Sequence, residues 1–491
     1  MRVRTKLSCV LLSLVFALCL VPGVALAVEG ADLTAGSIDD DSLSTQANGA
    51  SSAVWHRLAG HVALDTMSKI VDEGGFAKGG TVVLTTAGGY WDALTAAGLA
   101  GMAKAPILMT DGSSLSTQTW FQISKLAPKR IIVCGGDAAV KQEVVTTARQ
   151  AAGTSPTVTR CAGANAVGTA VSIYKKASSS TGGKWSSTAF ICTNDGYWDA
   201  LAAAPISYAK RMPIFLTSGR GSIDASVVSA MKAGGVKDVW IVGGTAAVSD
   251  SVKSNLQRSG IKVNGRLSGA TAVETSEAVA SYGIKLGMSA NRMGVATTGG
   301  YWDALAGAAL CGKGGSVLVL VNGPSAHSIS GFVKAHAKEI KDGYIFGGAA
   351  AVNGSTANAL AKASGGALEP IESGSVMRKR FNTRLNSINA QKAADRRMGG
   401  TTMDMIQAGN DYYIAYDALM NDILSYLDSR PDVDSAKLAA SQDAWNSERE
   451  RAARNAVIRN GGGSLAPVES LAVSMNMQVA RIKTLIAMIP A

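Results

Sequence analysis

The hexapeptide Gly-Tyr-Trp-Asp-Ala-Leu occurs three times without change, at residues 89–94, 196–201 and 300–305, so that its aspartates stand 107 and then 104 residues apart. Each copy follows an apolar, strand-like run and precedes an Ala-rich, helix-like run. A repeat of this length, with nothing unrelated between copies, marks a domain that was triplicated. Two further signatures recur in register. Gly-Gly-x-Ala-Ala-Val stands at 135–140, 243–248 and 347–352, and Arg-x-x-Gly-x-x-Ala-x-x-Thr at 57–66, 160–169 and 266–275.

In the first copy the pattern predicts a strand at 81–85, a turn at 88–91, a helix from Asp92 to Lys104 and a strand at 106–110. A helix through 120–126, a strand at 130–134 and a helix starting near Val140 complete it. Near-continuous apolar strands separated by helices argue for a parallel sheet covered on both faces. The expected fold class is therefore α/β, with three tandem doubly wound parallel-sheet repeats at 54–156, 157–262 and 263–365. A linker at 366–380 leads to an all-α region at 381–491, which Pro431 and Gly461–Gly463 divide into about three helices.

The N-terminus reads as an export leader. Arg2, Arg4 and Lys6 precede an apolar run from Leu7 to Val21, and Ala25-Leu26-Ala27 is a small-x-small cleavage site. Residues 28–53 are rich in Gly, Ser, Asp and Thr and read as a disordered spacer. Arg481 and Lys483 interrupt the last helix, so no transmembrane anchor is expected there. The formal charge of +11, three units of it in the leader, favours anionic polymers or surfaces as partners. Nucleic acid is not expected, because no aromatic–basic stacking motif is present.

Four cysteines lie beyond the leader, Cys134, Cys161, Cys192 and Cys311. Their counterparts in the other repeats are mostly small or apolar, which fits thiols filling core sites. There is no CxxC, no zinc spacing, and the four histidines are scattered, so no metal is expected. The Gly-Gly turns lack G-x-G-x-x-G spacing and a P-loop lysine, so no nucleotide cofactor is expected either.

Four sets of residues are candidates for a site. Asp92, Asp199 and Asp303 sit where turn becomes helix, the natural N-cap, and also where open α/β sheets meet ligands. Tyr90, Trp91, Tyr197, Trp198, Tyr301 and Trp302 suit either stacking on sugar faces or plugging an interface between repeats. Gly135, Gly136, Gly243, Gly244, Gly347 and Gly348 allow close backbone approach ahead of a helix N-terminus, a favourable place for an anion. Of the residues that follow these turns, Ser249 and Asn353 are good helix caps and Lys141 is not. Arg57, Arg160 and Arg266 can pair with an acid of a neighbouring repeat or face phosphate or carboxylate. No motif supplies a nucleophile with a base, so a glycan-modifying enzyme using the aspartates is the weakest reading.

Together the three signatures resemble the cell-wall-binding repeats of the second type, found in exported proteins of Gram-positive bacteria. The resemblance covers 54–365. It implies three α/β units packed as an intramolecular trimer, a pseudo-threefold unit, and non-covalent attachment to an anionic wall polymer, a teichoic acid or polysaccharide. Tyr-Trp replaces the family's Phe-Pro before each aspartate, and its second arginine is Ala63, Ala166 and Ala272 here. More loosely, Asp417-Ala418-Leu419 with Asn421, then Gln442, Trp445, Arg449, Gly462-Gly463-Ser464, Arg481 and Leu485 resemble the LprI-type lysozyme-inhibitor domain. That resemblance implies lysozyme or another protein as partner of 381–491, without the family's cysteines. Helical spacing of Leu438, Gln442, Trp445 and Arg449 makes Trp445 a core anchor.

Overall fold

The computed structural model describes residues 52–490 apart from 61, 323–328, 431, 460 and 462, so the leader and nearly all of the spacer lie outside the described residues. Three separate parallel sheets form. The first runs Ile107–Thr110, Thr81–Thr86, Arg130–Cys134, Thr157–Cys161, and the second Ile214–Leu216, Thr188–Cys192, Asp238–Val242, Lys262–Leu267. The third runs Ser316–Val321, Ser289–Thr297, Asp342–Phe346, Val54–Leu58, with a short edge at Ala367–Leu368. The first three strands of each sheet are apolar and mostly buried, as parallel strands covered by helices must be, whereas the strands that carry Arg57, Arg160 and Arg266 are more polar and largely half-exposed.

The sheets are offset by one strand from the sequence repeat. The strands that carry Arg160 and Arg266 pair with the Gly-Gly strand of the preceding repeat. The third sheet has no repeat after it, and the strand at the start of the chain fills that place, Val54–Leu58 pairing in register with Asp342–Phe346. Trp55 anchors the closure. Its indole is fully buried against Gly343, and its Nε1–H donates to Ser364 Oγ at 2.9 Å.

The Arg-x-x-Gly-x-x-Ala-x-x-Thr signature acts locally. In every copy the glycine N–H donates to the threonine hydroxyl six residues on, at 3.0 Å for Gly60–Thr66, 3.1 Å for Gly163–Thr169 and 3.0 Å for Gly269–Thr275. That bond satisfies a backbone donor as the chain turns from strand into helix. Helices Ala96–Ala103, Trp198–Lys210 and Trp302–Lys313, one from each unit, pack against one another in the middle. Their small residues permit it: a Cβ on Gly101 would stand 2.0 Å from the carbonyl oxygen of Tyr208. One hydrophobic core runs through all three units. The four cysteines are buried and free, and burial pushes the Cys161 thiol up to about 11 and the Cys311 thiol to about 12.

The C-terminal region is helical with a core of its own. It contains four long helices among the described residues, Gly374–Ala394, Thr402–Ser429, Ser435–Arg459 and Ala466–Met488, rather than about three. The additional break begins at Asp395 and runs through the 3-10 turn Arg396–Gly399 to Gly400, after which Thr401 and Asp404 restart the helix as a reciprocal capping box. The basic run Arg378-Lys379-Arg380 is helical, within Gly374–Ala394. Trp445 packs half-buried on this core, with the Arg449 guanidinium 4.9 Å from its ring. No described helix is long and apolar enough to cross a membrane.

If Val54–Leu58 closes the ring, Trp55→Ala should cost about 3–5 kcal/mol in urea unfolding. Trp55→Phe keeps most of the volume and loses the bond to Ser364, and should cost about 1–2 kcal/mol. Equal, small losses for both variants would contradict the closure.

Candidate functional site

All three signatures meet at the C-terminal ends of the parallel strands, once per unit. The hexapeptide follows the strand ending at Thr86, Cys192 or Thr297, and the Gly-Gly turn follows the neighbouring strand. The first glycine of each turn has positive φ, 120° at Gly135, 99° at Gly243 and 104° at Gly347, which a side chain disfavours. It also faces the motif carboxylate: a Cβ there would lie 2.9 Å from Asp92 Oδ2, 2.1 Å from Asp199 Oδ2 and 2.4 Å from Asp303 Oδ2.

The arginine arrives from the next strand. Arg160 Nη1 donates to the Gly135 carbonyl at 3.0 Å, Arg266 Nη1 to Gly243 at 2.7 Å and Arg57 Nη1 to Gly347 at 2.8 Å. The structure thus groups Asp92 with Gly135 and Arg160, Asp199 with Gly243 and Arg266, and Asp303 with Gly347 and Arg57. The second glycines, Gly136, Gly244 and Gly348, are half-buried beside them. Each arginine also has a carboxylate near it. Asp137 is 4.0 Å from Arg160 and Asp250 is 3.2 Å from Arg266, both acids largely exposed, whereas the acid acting on Arg57 is Asp428 of the helical region.

The aspartates are not N-caps. Tyr197 and Tyr301 hold that position, Asp199 and Asp303 lie in the first helical turn, and in the first unit the helix starts only at Ala96. Their side chains cross to the Gly-Gly turn instead of bending back to the helix. After the turns, Lys141, Ser249 and Asn353 are the N-caps, but only Asn353 caps with its side chain, accepting from Thr356 N at 2.8 Å. Ser249 Oγ bonds Ser251 Oγ.

The aromatic pairs converge on the axis between units. Ring centroids are 5.3 Å apart for Tyr90–Tyr197, 5.7 Å for Tyr90–Tyr301 and 5.8 Å for Tyr197–Tyr301. Tyr197 Oη and Trp198 Nε1 both donate at 2.9 Å to the Thr298 carbonyl, and Tyr301 Oη and Trp302 Nε1 donate at 2.5 and 2.9 Å to that of Ala87. Tyr90 and Trp91 make ring contacts without such a bond among the described residues. Outside these contacts, Trp91 keeps 48% and Trp198 38% of its surface exposed.

Burial lifts the Asp199 carboxyl to about 6, against the pull of Arg266, and lifts Asp303 to about 6. Asp303 Oδ1 is shut from water without a hydrogen-bond partner, a state that Asp92 and Asp199 do not share. Among the described residues no group of three or more His, Cys, Asp or Glu is placed to hold a metal ion.

Sequence reasoning missed a polar seam that joins the helical region to the first and third units. Asn421 Nδ2 donates to Asp65 Oδ1 at 3.1 Å and to Asp417 Oδ2 at 3.3 Å. Gln118 holds Asp65 at 2.9 Å, Lys69 donates to Ser425 at 2.9 Å, and Ser425 donates to the Ala59 carbonyl at 2.7 Å. The one available signal was the i, i+4, i+8, i+11 spacing of Asp417, Asn421, Ser425 and Asp428, a polar stripe down one helix.

A threefold set of parallel α/β units, each presenting an arginine and a glycine turn at the same sheet edge, defines a repeat-built binding scaffold. The family model described as cell wall binding domain 2 (CWB2) matches residues 57–145, 160–253 and 266–357, more than half of the chain, and the chain belongs to that family. A second family model, lysozyme inhibitor LprI, matches residues 393–485. Over 289 residues the chain is 28% identical to N-acetylmuramoyl-L-alanine amidase LytC of Bacillus subtilis (strain 168), covering 58% of this chain and 54% of that one. It is 29% identical over 165 residues to the amidase enhancer of the same organism, covering 34% and 22%. The chain therefore spans about half the length of the first of these relatives and less of the second. Among solved structures, Cwp6 from Clostridium difficile is similar with a TM-score of 0.57 at 21% identity, over 68% of this chain and 50% of that one. Cwp8 from the same organism is similar with a TM-score of 0.54 at 23% identity, over 63% and 51%. These likenesses show the fold.

Two carboxyls held near 6 stabilise the fold most when protonated. Their contribution is complete below the ordinary carboxylate value near 4 and is lost as pH rises through about 6. Thermal stability should therefore decline between about pH 4 and pH 7 on their account, by on the order of 1–3 kcal/mol per group. Asp199→Asn with Asp303→Asn should make that part of the profile shallower in calorimetry, the remaining slope coming from Asp65, which burial also lifts to about 6. An unchanged slope would refute the assignment.

Proposed function

We propose that this is a cell-surface protein held non-covalently on an anionic wall polymer by its three α/β units, with the helical region as its interaction domain. The observation that carries the reading is the same edge built three times, an arginine and two glycines at strand C-termini, on a chain of formal charge +11. Guanidinium and turn N–H groups suit phosphate or carboxylate oxygens. The exposed faces of Trp91 and Trp198 suit sugar rings. Membership of the wall-binding family and the export leader at 1–27 support a location at the wall. The relatives named for an amidase and its enhancer share this chain's sequence over only part of their length, and the thiols beside Asp92 and Asp199, Cys134 and Cys192, are buried and pushed up by that burial, which supports a binding role.

The ligand is a teichoic acid or an acidic polysaccharide. Ala63, Ala166 and Ala272 leave one cation fewer per unit than the family pattern carries, so attachment relies on avidity across units. The full chain should sediment with purified sacculi and be released as salt rises. Arg160→Ala with Arg266→Ala should weaken retention about tenfold, corresponding to about 1.4 kcal/mol. Equal recovery on sacculi stripped of teichoic acid and glycan polymers would sink this function.

A second reading rests on the LprI match at 393–485 and on the separate core of that region. The helical region inhibits a lysozyme, with residues 461–464, of which 462 lies outside the described residues, as its contact. Muramidase assays with the full chain test it, and undiminished lysis at saturating protein would remove it.

A further inference from the structure

The three edges are equivalent in sequence but not in surroundings. In the first two units the residue after the glycine pair, Asp137 or Thr245, is exposed, and in the third Ala349 is half-buried. The first two units have acids of their own near the arginine, Asp137 and Asp250, with side chains 73% and 71% exposed. An acid so exposed is held weakly by the half-buried arginine and is easily exchanged for another anion. The third unit has Ala349 and Gly354 at the corresponding positions and so lacks an acid in its own loop. Its anion comes from the helix Thr402–Ser429, where Asp428 Oδ2 stands 3.2 Å from where a Cβ of Gly348 would be, with its charge acting on Arg57.

Resting on the wall-polymer reading, we propose that Asp428 occupies the third edge as a built-in stand-in for the polymer's anionic group. The docked chain then offers two open edges, and an anion that displaces Asp428 opens the third and loosens the helical domain. The rest of the contact is built for exchange. The hydrogen bonds and ion pairs from that helix to the α/β units run through Asn421, Asp422 and Ser425 to Asp65, Lys69 and Ala59, and the two hydrophobic cores stay separate. Polar interfaces within a chain resemble transient ones and permit domain movement. The Asp428 carboxylate at this turn also shows what chemistry the cradle takes, a small anionic oxygen group such as a phosphate or carboxylate.

The test uses the full chain, Asp428→Ala and Asp428→Glu, with circular dichroism to establish that each variant folds. Calorimetric titration with tripolyphosphate should find two tight sites in the parent and in Asp428→Glu, with a third filled only at higher concentration as Asp428 is displaced, and three tight sites in Asp428→Ala. Sacculus retention of Asp428→Ala should rise about three- to tenfold through the added edge. Saturating tripolyphosphate should speed amide hydrogen exchange across residues 402–429 in the parent. Oligo-glutamate in a parallel arm separates phosphate from carboxylate, and exchange enhanced by either anion supports the proposal. Identical stoichiometry in parent and Asp428→Ala, with exchange at 402–429 unmoved by both anions, would overturn it. Failure of the parent to bind sacculi, with the Asp428 effects on tripolyphosphate binding and exchange intact, would refute the wall assignment and leave the closed edge standing.

Discussion

One backbone carbonyl at each of two unit boundaries accepts both a tyrosine hydroxyl and the adjacent indole N–H, and the setting of the second and third hexapeptides depends on that contact. Each such bond contributes only about 1 kcal/mol net. The geometric consequence is larger. Tyr, Trp and Asp are consecutive, so fixing the first two against the next unit fixes the direction in which the third leaves the chain. The carboxylate is thereby sent across its own sheet edge to the positive-φ glycine, where no side chain could be accommodated. One hexapeptide therefore sets the spacing between units and the shape of the edge. This accounts for the identity of the second and third copies without requiring that all six residues touch a ligand. Tryptophan in place of the family's proline fits the same logic, because the indole brings a donor to the neighbouring carbonyl where proline has none.

Closure of the ring divides the three boundaries unequally. The second and third hexapeptides begin a regular helix at Trp198 and Trp302, and both aromatics reach the next unit. The first stays in turn conformation until Ala96, and its aromatics stop at ring contacts. The same unit adjoins the helix Ala63–Glu73, which follows the closing strand and packs on both the first and third units. Its geometry answers to the chain's start as well as to its own repeat, a constraint that the other two boundaries do not share.

The triplicate periods and the parallel sheets were legible because each depends on residues near in sequence. Val82-Val83-Leu84 and Ile131-Ile132-Val133 read as buried strands, and they are. The cysteines read as core residues from the apolar types at their counterparts, and all four are buried. What was not legible needed a partner distant in the chain. Nothing local tells Val54–Leu58 that it will pair with Asp342–Phe346, since its composition fits any parallel sheet. An N-cap was expected for the aspartates from their place before a helix, but Asp199 and Asp303 lie in the first helical turn and all three face a turn some forty residues away, a neighbour that no local pattern announces. The extra helix break ending at Gly399-Gly400 carried a local signal, a Gly pair followed by Thr and an acid three residues on, and it was readable in principle.

The buried acids at the domain boundary raise the question of why such a seam is polar at all. Burial lifts Asp65 to about 6, with the Gln118 bond opposing the rise and Asp417 adding to it, and burial raises Asp417 against the pull of Arg449. Two carboxylates linked through one Asn421 amide are a costly way to gain adhesion, and well-packed apolar residues of similar volume would hold more firmly. What the arrangement provides is orientation. Asn421 must meet Asp65 and Asp417 together, Ser425 must reach both Lys69 and Ala59, and only one rotation of the helix Thr402–Ser429 satisfies these pairings. A helix set in that rotation necessarily brings Asp428, three residues beyond Ser425, over the Gly348 turn. The position of that carboxylate thus follows from the whole stripe, and the stripe trades strength of attachment for definition of where the helical domain sits.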